Sequence, residues 1–194
     1  MVKRFFDLFL AIILLFLLFP FLLLVGIIIL IIDGRPIFFK QKRAGYKAKV
    51  FTLIKFRTMS NRKKSEKDED RVTSLGYWLR KNSIDELPAL INIIKGEMSF
   101  IGPRPFVAKY LPLYSKDQLK RHDVKPGFTG YAQIKGRNLL SWEKRIEYDL
   151  YYTQNKSLLL DLKILVMTII ILLTRKGISP KGIEIMPDFK GNQK

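Results

Sequence analysis

From Leu8 to Ile32 the chain carries no charged residue, and no other segment is apolar for so long. As one straight helix this run would be about 37 Å long, more than the roughly 30 Å of a bilayer's hydrocarbon core. It is too long for a signal-peptide core and no small-residue cleavage site follows, so it reads as a retained membrane element. Pro20, near its middle, would remove one helical hydrogen bond and crowd the carbonyl of Phe16. Basic residues flank both ends, Lys3 and Arg4 before, then Arg35, Lys40, Lys42 and Arg43 after. A single span puts one cluster outside, against the positive-inside tendency. A helix that bends at Pro20 and returns to the same face keeps both clusters cytoplasmic. A tilted, kinked span is the alternative, and the pattern by itself leaves both open.

Beyond the apolar run the periodicity changes. Residues 36–59 resemble two β segments around a turn at Ala44–Gly45, with Val50–Phe56 rich in β-branched and aromatic residues. Lys55 and Arg57 fall on the same face of the second strand, where Arg57 reads as a basic residue on a solvated edge. Residues 60–71 hold no apolar side chain and read as an exposed, mobile loop. Val72–Lys81 and Leu87–Lys95 look helical. Ser83 and Glu86 have capping-box spacing, and Pro88 fits the first helical turn. Lys109–Arg121 predicts a helix broken by Pro112. Residues 125–138, with Pro126 and glycines at 127, 130 and 136, predict loop and short strand rather than helix. Ser141–Tyr152 reads as a helix capped by Ser141. Ser157–Leu173 is a second apolar segment, interrupted by Asp161 and Lys163. Asp161, Thr168 and Arg175 make a polar stripe at seven-residue spacing, which favours an interfacial helix over a second span. The tail after Lys176 reads as loosely ordered.

The length, 194 residues, suits about one domain with a substantial core. Its 35 basic and 17 acidic residues give a net charge of +18, which points to a polyanionic partner such as lipid headgroups, a nucleotide or nucleic acid. With no cysteine, disulfides, zinc thiolate sites and cysteine nucleophiles are excluded. The single histidine, His122, excludes a multi-histidine metal site and reads as structural.

The chemistry-bearing candidates cluster between Ser83 and Pro105. Asp85 and Glu86 stand at a predicted helix start, where carboxylates complement the helix dipole and stay ionised. Such acids can hold magnesium together with substrate phosphates, and an aspartate can attack phosphorus to form an acyl phosphate. Their ordinary structural role, capping, competes with these uses. Arg104, between Pro103 and Pro105, is presented with little ordering cost and suits a bidentate phosphate contact. Arg80 and Arg137 are weaker candidates of the same kind. Asp149, among Tyr148, Tyr151 and Tyr152, needs a partner if buried.

Several of these segments resemble one family in order and spacing. They are Lys55-Phe56-Arg57-Thr58-Met59, Asp85-Glu86-Leu87-Pro88, Gly96 through Pro105, Pro126-Gly127-Phe128-Thr129-Gly130 and Gly136-Arg137-Asn138. Together they resemble the bacterial sugar transferases, specifically the small monotopic phosphoglycosyl transferases, over nearly the whole chain. The resemblance implies a mostly helical α+β fold: a re-entrant membrane helix over residues 1–34, then a compact cytoplasmic domain over 35–194 with a small β-hairpin and interfacial amphipathic helices. It also implies transfer of a sugar 1-phosphate from a nucleoside diphosphate sugar, usually a UDP-sugar, to polyprenyl phosphate. Asp85 would be the nucleophile, forming a covalent phosphosugar intermediate. Glu86 would assist it, both acids would hold Mg2+, and Lys55, Arg80, Arg104, Arg137 and Asp149 would line the substrate site. The expected location is the cytoplasmic face of the inner membrane, in contact with inner-leaflet lipids and without nucleic acid. A homo-oligomer is compatible with this reading. One departure stands out: members often carry a serine before the helix-breaking proline, and this chain has Phe19. The competing reading is a membrane-anchored basic protein that binds anionic lipid or nucleic acid without catalysis. Basic residues spread along the chain, with no nucleic-acid-binding motif, argue against base reading.

Overall fold

The computed structural model describes residues 2–60, 71–136, 139–174 and 188–191. Its architecture is α+β and mostly helical, with a small antiparallel hairpin, as expected. Helix α1 runs over Val2–Ile32 and continues through Pro20. Its buried residues are Asp7, Ala11, Val25, Gly26 and Ile29, with Leu14, Leu15 and Leu22 packed alongside. Spacings of three and four put these positions on one face. The first half of that face packs on Phe51, Leu53, Ala89, Leu90, Ile93 and Met98, and the second half on Phe56 and Leu79. Both halves of α1 therefore dock on one body. The opposite face leaves large apolar side chains bare, among them Phe5, Phe16, Leu17 and Ile31.

Polar contacts secure both ends of α1. Arg4 donates to the carbonyls of Ile93 at 2.5 Å and Ile94 at 2.7 Å. Asp7 accepts from Ser99 Oγ at 3.1 Å and Phe100 N at 3.0 Å, which makes its burial tolerable. Lys3 pairs with Asp161, whose other oxygen accepts from Tyr152 Oη at 2.7 Å. At the far end Arg57 is buried. It donates to the carbonyls of Gly34 at 2.7 Å and Arg35 at 2.8 Å, and also to that of Asp33. The expectation of a solvated edge arginine is thus corrected: the three carbonyls just past the end of α1 gather on one guanidinium, whose several N–H groups satisfy them together.

Strands β1 (Phe38–Ala44) and β2 (Val50–Phe56) form the expected hairpin, in the register Phe38↔Phe56 to Ala44↔Val50. Helix α2 (Ser74–Lys81) is capped by Thr73, whose Oγ1 accepts from Gly76 N at 2.9 Å. A 3-10 turn over Ile84–Ala89 then leads into α3 (Leu90–Lys95). Asn92, fully buried on α3, accepts from Ile54 N at 3.1 Å and donates to Thr52 O at 2.8 Å, so one side chain fixes α3 against β2.

Strands β3 (Ser99–Ile101) and β4 (Gly127–Thr129) pair in parallel. The predicted helix over Lys109–Arg121 is a 3-10 turn at Ala108–Leu113 followed by α4 (Lys116–Leu119). Past Pro112 the chain extends at Tyr114 and restarts with a capping box of Ser115 and Gln118. The predicted loop after β4 holds a short helix, α5 (Tyr131–Lys135), which stacks Tyr131 on Tyr151 at 4.8 Å. Tertiary stacking there overrides the local glycine signal. Helix α6 (Trp142–Asn155) starts at Ser141 as predicted.

Helix α7 (Leu158–Thr174) buries Ile164 and exposes much of its apolar surface. Asp161 and Thr168 of its predicted stripe bond inward, Thr168 to Thr129 at 2.9 Å. Arg175 lies outside the described residues, as do residues 61–70 of the predicted loop and most of the tail. Where the tail is described it is docked: Phe189 is buried with Phe106, Tyr110 and Tyr114, and Asp188 accepts from Tyr110 Oη at 2.6 Å.

Two stability predictions follow from the packing. A Cβ added at Gly76 would lie 2.0 Å from the backbone oxygen of Thr58, so Gly76→Ala must push α2 off the end of β2. Chemical denaturation should show a loss of about 1–3 kcal/mol. His122 is buried with Nδ1 3.2 Å from Gly45 O, and burial, helped by Arg121, lowers its pKa from 6.5 to about 4. Between those values the unfolded chain binds a proton that the folded chain does not, so stability falls as pH falls through this window. Comparison with His122→Asn, which does not titrate, should isolate a pH-dependent contribution of about 3 kcal/mol.

Candidate active site

The 3-10 turn over Ile84–Ala89 carries Asp85 and Glu86 side by side, yet the two carboxylates differ in their surroundings. Glu86 Oε1 accepts from Lys55 Nζ and from Arg104 Nη2, and Oε2 accepts from Arg104 Nη1 at 3.2 Å. Burial pushes the Glu86 carboxyl up, but Arg104 and Lys55 together outweigh burial and hold it well below the usual carboxylate range. Asp85 is also buried, and among the described residues it forms no hydrogen bond or ion pair. Burial, reinforced by the negative charge of Glu86, raises its pKa against the pull of Lys55, Arg80 and Arg104. One acid is thus locked and ionised, and its neighbour is short of positive charge.

The predicted capping box is corrected here. Ser83 adopts a left-handed conformation, φ 56° and ψ 20°, and its side chain caps nothing. The Glu86 carboxylate turns instead to Lys55 and Arg104. Two full cations offer a buried carboxylate more than one backbone N–H does.

Each cation is placed by its own element. Lys55 comes from β2, and burial lowers its pKa although Glu86 opposes the shift. Arg104 is presented by the Gly102–Pro105 turn, and Glu86 raises its pKa against burial. Gly102 and Gly127 approach so closely that a Cβ at 127 would lie 2.1 Å from Gly102 N, which keeps this turn against β4. Arg80, on α2, donates Nε to Thr58 Oγ1 at 2.8 Å and acts electrostatically on Asp85.

Lys55, Glu86 and Arg104 line one cleft with Arg43, Met98, Gly127 and Phe128. Arg43 was missed by the sequence reading, which used it only as part of a basic flank. It donates to Pro105 O at 3.0 Å, and burial beside Arg104 lowers its pKa to about 10. Its place in a Lys42-Arg43-Ala44-Gly45 run before a tight turn was the available signal. Asp149 is not among the cleft-lining residues: it is buried on α6 and paired with Arg121 at 2.6 Å through Oδ2, while Oδ1 has no hydrogen-bond partner among the described residues. Arg137 lies outside the described residues.

The cleft lining holds three cations around one locked carboxylate; Asp85 is not part of that lining but follows Ile84 on the same turn as Glu86, and the arrangement suits an anionic substrate and a carboxylate nucleophile. Comparison with known proteins agrees with this chemistry. The sequence pattern described as bacterial sugar transferase matches residues 1–175. The chain is 49% identical to the uncharacterized sugar transferase EpsL of Bacillus subtilis (strain 168), over 98% of this chain and 96% of that protein. It is 42% identical to the exopolysaccharide production protein ExoY of Sinorhizobium fredii, over 86% and 83% of the two chains. It is 37% identical to the UDP-glucose:undecaprenyl-phosphate glucose-1-phosphate transferase of Xanthomonas campestris pv. campestris, over 88% of this chain but 38% of that longer protein. With nearly its whole length matched and the acid pair, cationic cleft and prolyl turn in place, this chain belongs to the bacterial sugar transferase family.

Proposed function

We propose that this chain transfers a sugar 1-phosphate from a nucleoside diphosphate sugar, in the first instance a UDP-sugar, to polyprenyl phosphate. The observation that carries the reading is the contrast between Glu86, locked by Lys55 and Arg104, and Asp85, which is uncommitted at the same site. The Xanthomonas relative, a UDP-glucose:undecaprenyl-phosphate glucose-1-phosphate transferase, supports the substrate class.

In this reading Arg43, Lys55 and Arg104 take the diphosphate, whose charge they complement across the cleft. Lys55, Arg80 and Arg104 are the groups that favour the ionised form of Asp85, and partial neutralisation of the diphosphate by these cations limits its repulsion of that carboxylate. An Asp85 carboxylate oxygen attacks the β-phosphorus. The bond from that phosphorus to the bridging oxygen breaks, and its electron pair leaves with the nucleoside monophosphate. The sugar phosphate stays on Asp85 as an acyl phosphate. An oxygen of the polyprenyl phosphate then attacks the same phosphorus and releases the Asp85 carboxylate, giving the polyprenyl diphosphate sugar.

Asp85 and Glu86 would also hold a magnesium ion. Among the described residues the Asp85 carboxylate makes no ion pair, and Glu86 Oε2 accepts one bond, from Arg104. No cluster of three metal-ligating side chains occurs among the described residues, so substrate oxygens and water would complete the shell, as is usual for magnesium. When bound, the ion would neutralise charge on the diphosphate.

The membrane arrangement is part of the same proposal. Residues 1–34 form the membrane element and 35–194 the catalytic domain. The apolar faces of α1 and α7, bare at Phe16, Leu159 and Leu173, are costly in water and suited to lipid. Both halves of α1 dock on the catalytic body, which supports a re-entrant, monotopic placement on the cytoplasmic face over a span with one end far away. A lipid phosphate at headgroup level then meets a cleft held at the same surface.

Asp85→Asn should cut nucleoside monophosphate release at least about a thousandfold and abolish retention of radiolabelled sugar phosphate. Full turnover by this variant would remove Asp85 from the nucleophile role. The same variant should melt at a higher temperature than wild type near neutral pH. A carboxyl with a raised folded-state pKa weakens the fold as pH rises through its titration window, and asparagine lacks that charge. The topology is tested separately. Because the chain has no cysteine, single cysteines at Lys3 and Lys40 can be labelled in membrane vesicles. Both should react from the cytoplasmic side, and labelling of the Lys3 position from the opposite side would sink the re-entrant reading.

A further inference from the structure

The Gly102–Pro105 turn aims Arg104 at Glu86, and its two prolines bring no N–H groups to hold it in place. Gly102 N donates to Thr129 O at 2.9 Å, and the rest of the turn is held through its carbonyls. Pro103 O accepts from Gly127 N at 2.9 Å, Arg104 O from Arg121 Nη2 at 2.8 Å, and Pro105 O from Arg43 Nη1 at 3.0 Å. Three successive carbonyls are thus gripped from three elements.

Arg121 is the buried member of this set. Its side chain and that of Asp149 are each 1% exposed. Asp149 Oδ2 accepts from Arg121 Nε at 3.1 Å and from Nη2 at 2.6 Å. The guanidinium lies 4.2 Å from the ring centroid of Phe106, the residue after the turn. A buried guanidinium without a counter-ion would be strongly unfavourable, and Asp149 offsets part of that penalty through Oδ2, although its Oδ1 is buried without a hydrogen-bond partner among the described residues. At 1% exposure Asp149 has no surface to offer a substrate.

We propose that Arg121 is a positioning residue for Arg104, held in place by Asp149, so that α6 sets the aim of the arginine on Glu86 through the series Asp149–Arg121–Arg104. The side chain of Arg104 contacts the site, and Arg121 and Asp149 act only through its backbone. Small displacements matter at such a position, since a shift of about 1 Å in a positioned group can cost about a hundredfold in rate.

The test is a double-mutant cycle on the full-length protein in detergent or nanodiscs. Asp149→Asn and Arg121→Lys are each made alone and in combination with Arg104→Gln. The turnover arm rests on the proposed sugar-phosphate transfer and measures kcat and KM for the nucleotide sugar. Each variant alone should lower kcat/KM about tenfold or more, and in the Arg104→Gln background it should add less than about a twofold loss. The fall in melting temperature should be the same in both backgrounds. Equal fold-losses of activity in the two backgrounds would show a merely structural pair and overturn the proposal.

A second arm does not depend on activity. The amides of Ala44 and Gly127 donate to Phe106 O and Pro103 O, so their hydrogen exchange reports on the turn and its flank. Exchange at both should rise in Asp149→Asn, which preserves side-chain volume, and unchanged exchange would overturn the proposal. If Arg121→Lys does not fold, Asp149→Asn carries both arms. If wild-type protein releases no nucleoside monophosphate, the functional reading fails and the exchange arm alone decides.

Discussion

A buried carboxylate has to be paired, and the pairing of Glu86 brings three distant segments to one place. Lys55 arrives from β2, Arg104 from the prolyl turn and Glu86 from the turn before α3. Removing either cation would leave charge stranded in a poorly hydrated site, which costs several kcal/mol per ion. The neighbouring Asp85 is the counterpart. The cations that satisfy Glu86 are not spent on Asp85, so that carboxylate stays available at some cost to the fold.

The basic residues have a second use that the net charge of +18 conceals. Arg4, Arg43, Arg57 and Arg121 each donate to backbone carbonyls where elements end or turn. Helix C-termini and prolyl turns leave carbonyls without local donors, and a guanidinium offers several N–H groups in one plane. Much of the arginine content therefore stitches the domain together. Arg43 does both, since it also lines the cleft with Lys55 and Arg104, where an anionic group can meet it.

Helix α1 joins the two themes. Its buried face is a wall of the core under α3 and β2, while Arg4 ties its start to the end of the helix that follows the acid pair. The long apolar helix is in this way continuous with the candidate site. Asn92 completes the frame by locking α3 to β2, which sets the distance between Lys55 and Glu86.

The long apolar run, the hairpin around Ala44–Gly45, the helix after Ser141 and the clustering of acids and arginines between Ser83 and Pro105 were all legible along the chain. Each depends on local periodicity, turn chemistry or residue type, and the order of motifs carried the family. What the chain could not display was partnership. Capping-box spacing at Ser83 and Glu86 was real, but the carboxylate goes to Lys55 and Arg104, two cations distant in sequence. Arg57 looked like an edge residue because its carbonyl partners lie at the end of another element. Arg121 carried no local sign of its role, Arg43 only its place before a tight turn, and the docking of Phe189 depends on a pocket of aromatic rings assembled from elsewhere. By itself the sequence determined which elements form and which chemistry-bearing residues are at hand. The tertiary structure alone decided which carboxylate is locked and which is free, because desolvation and ion pairing act through space and depend on neighbours that only folding supplies.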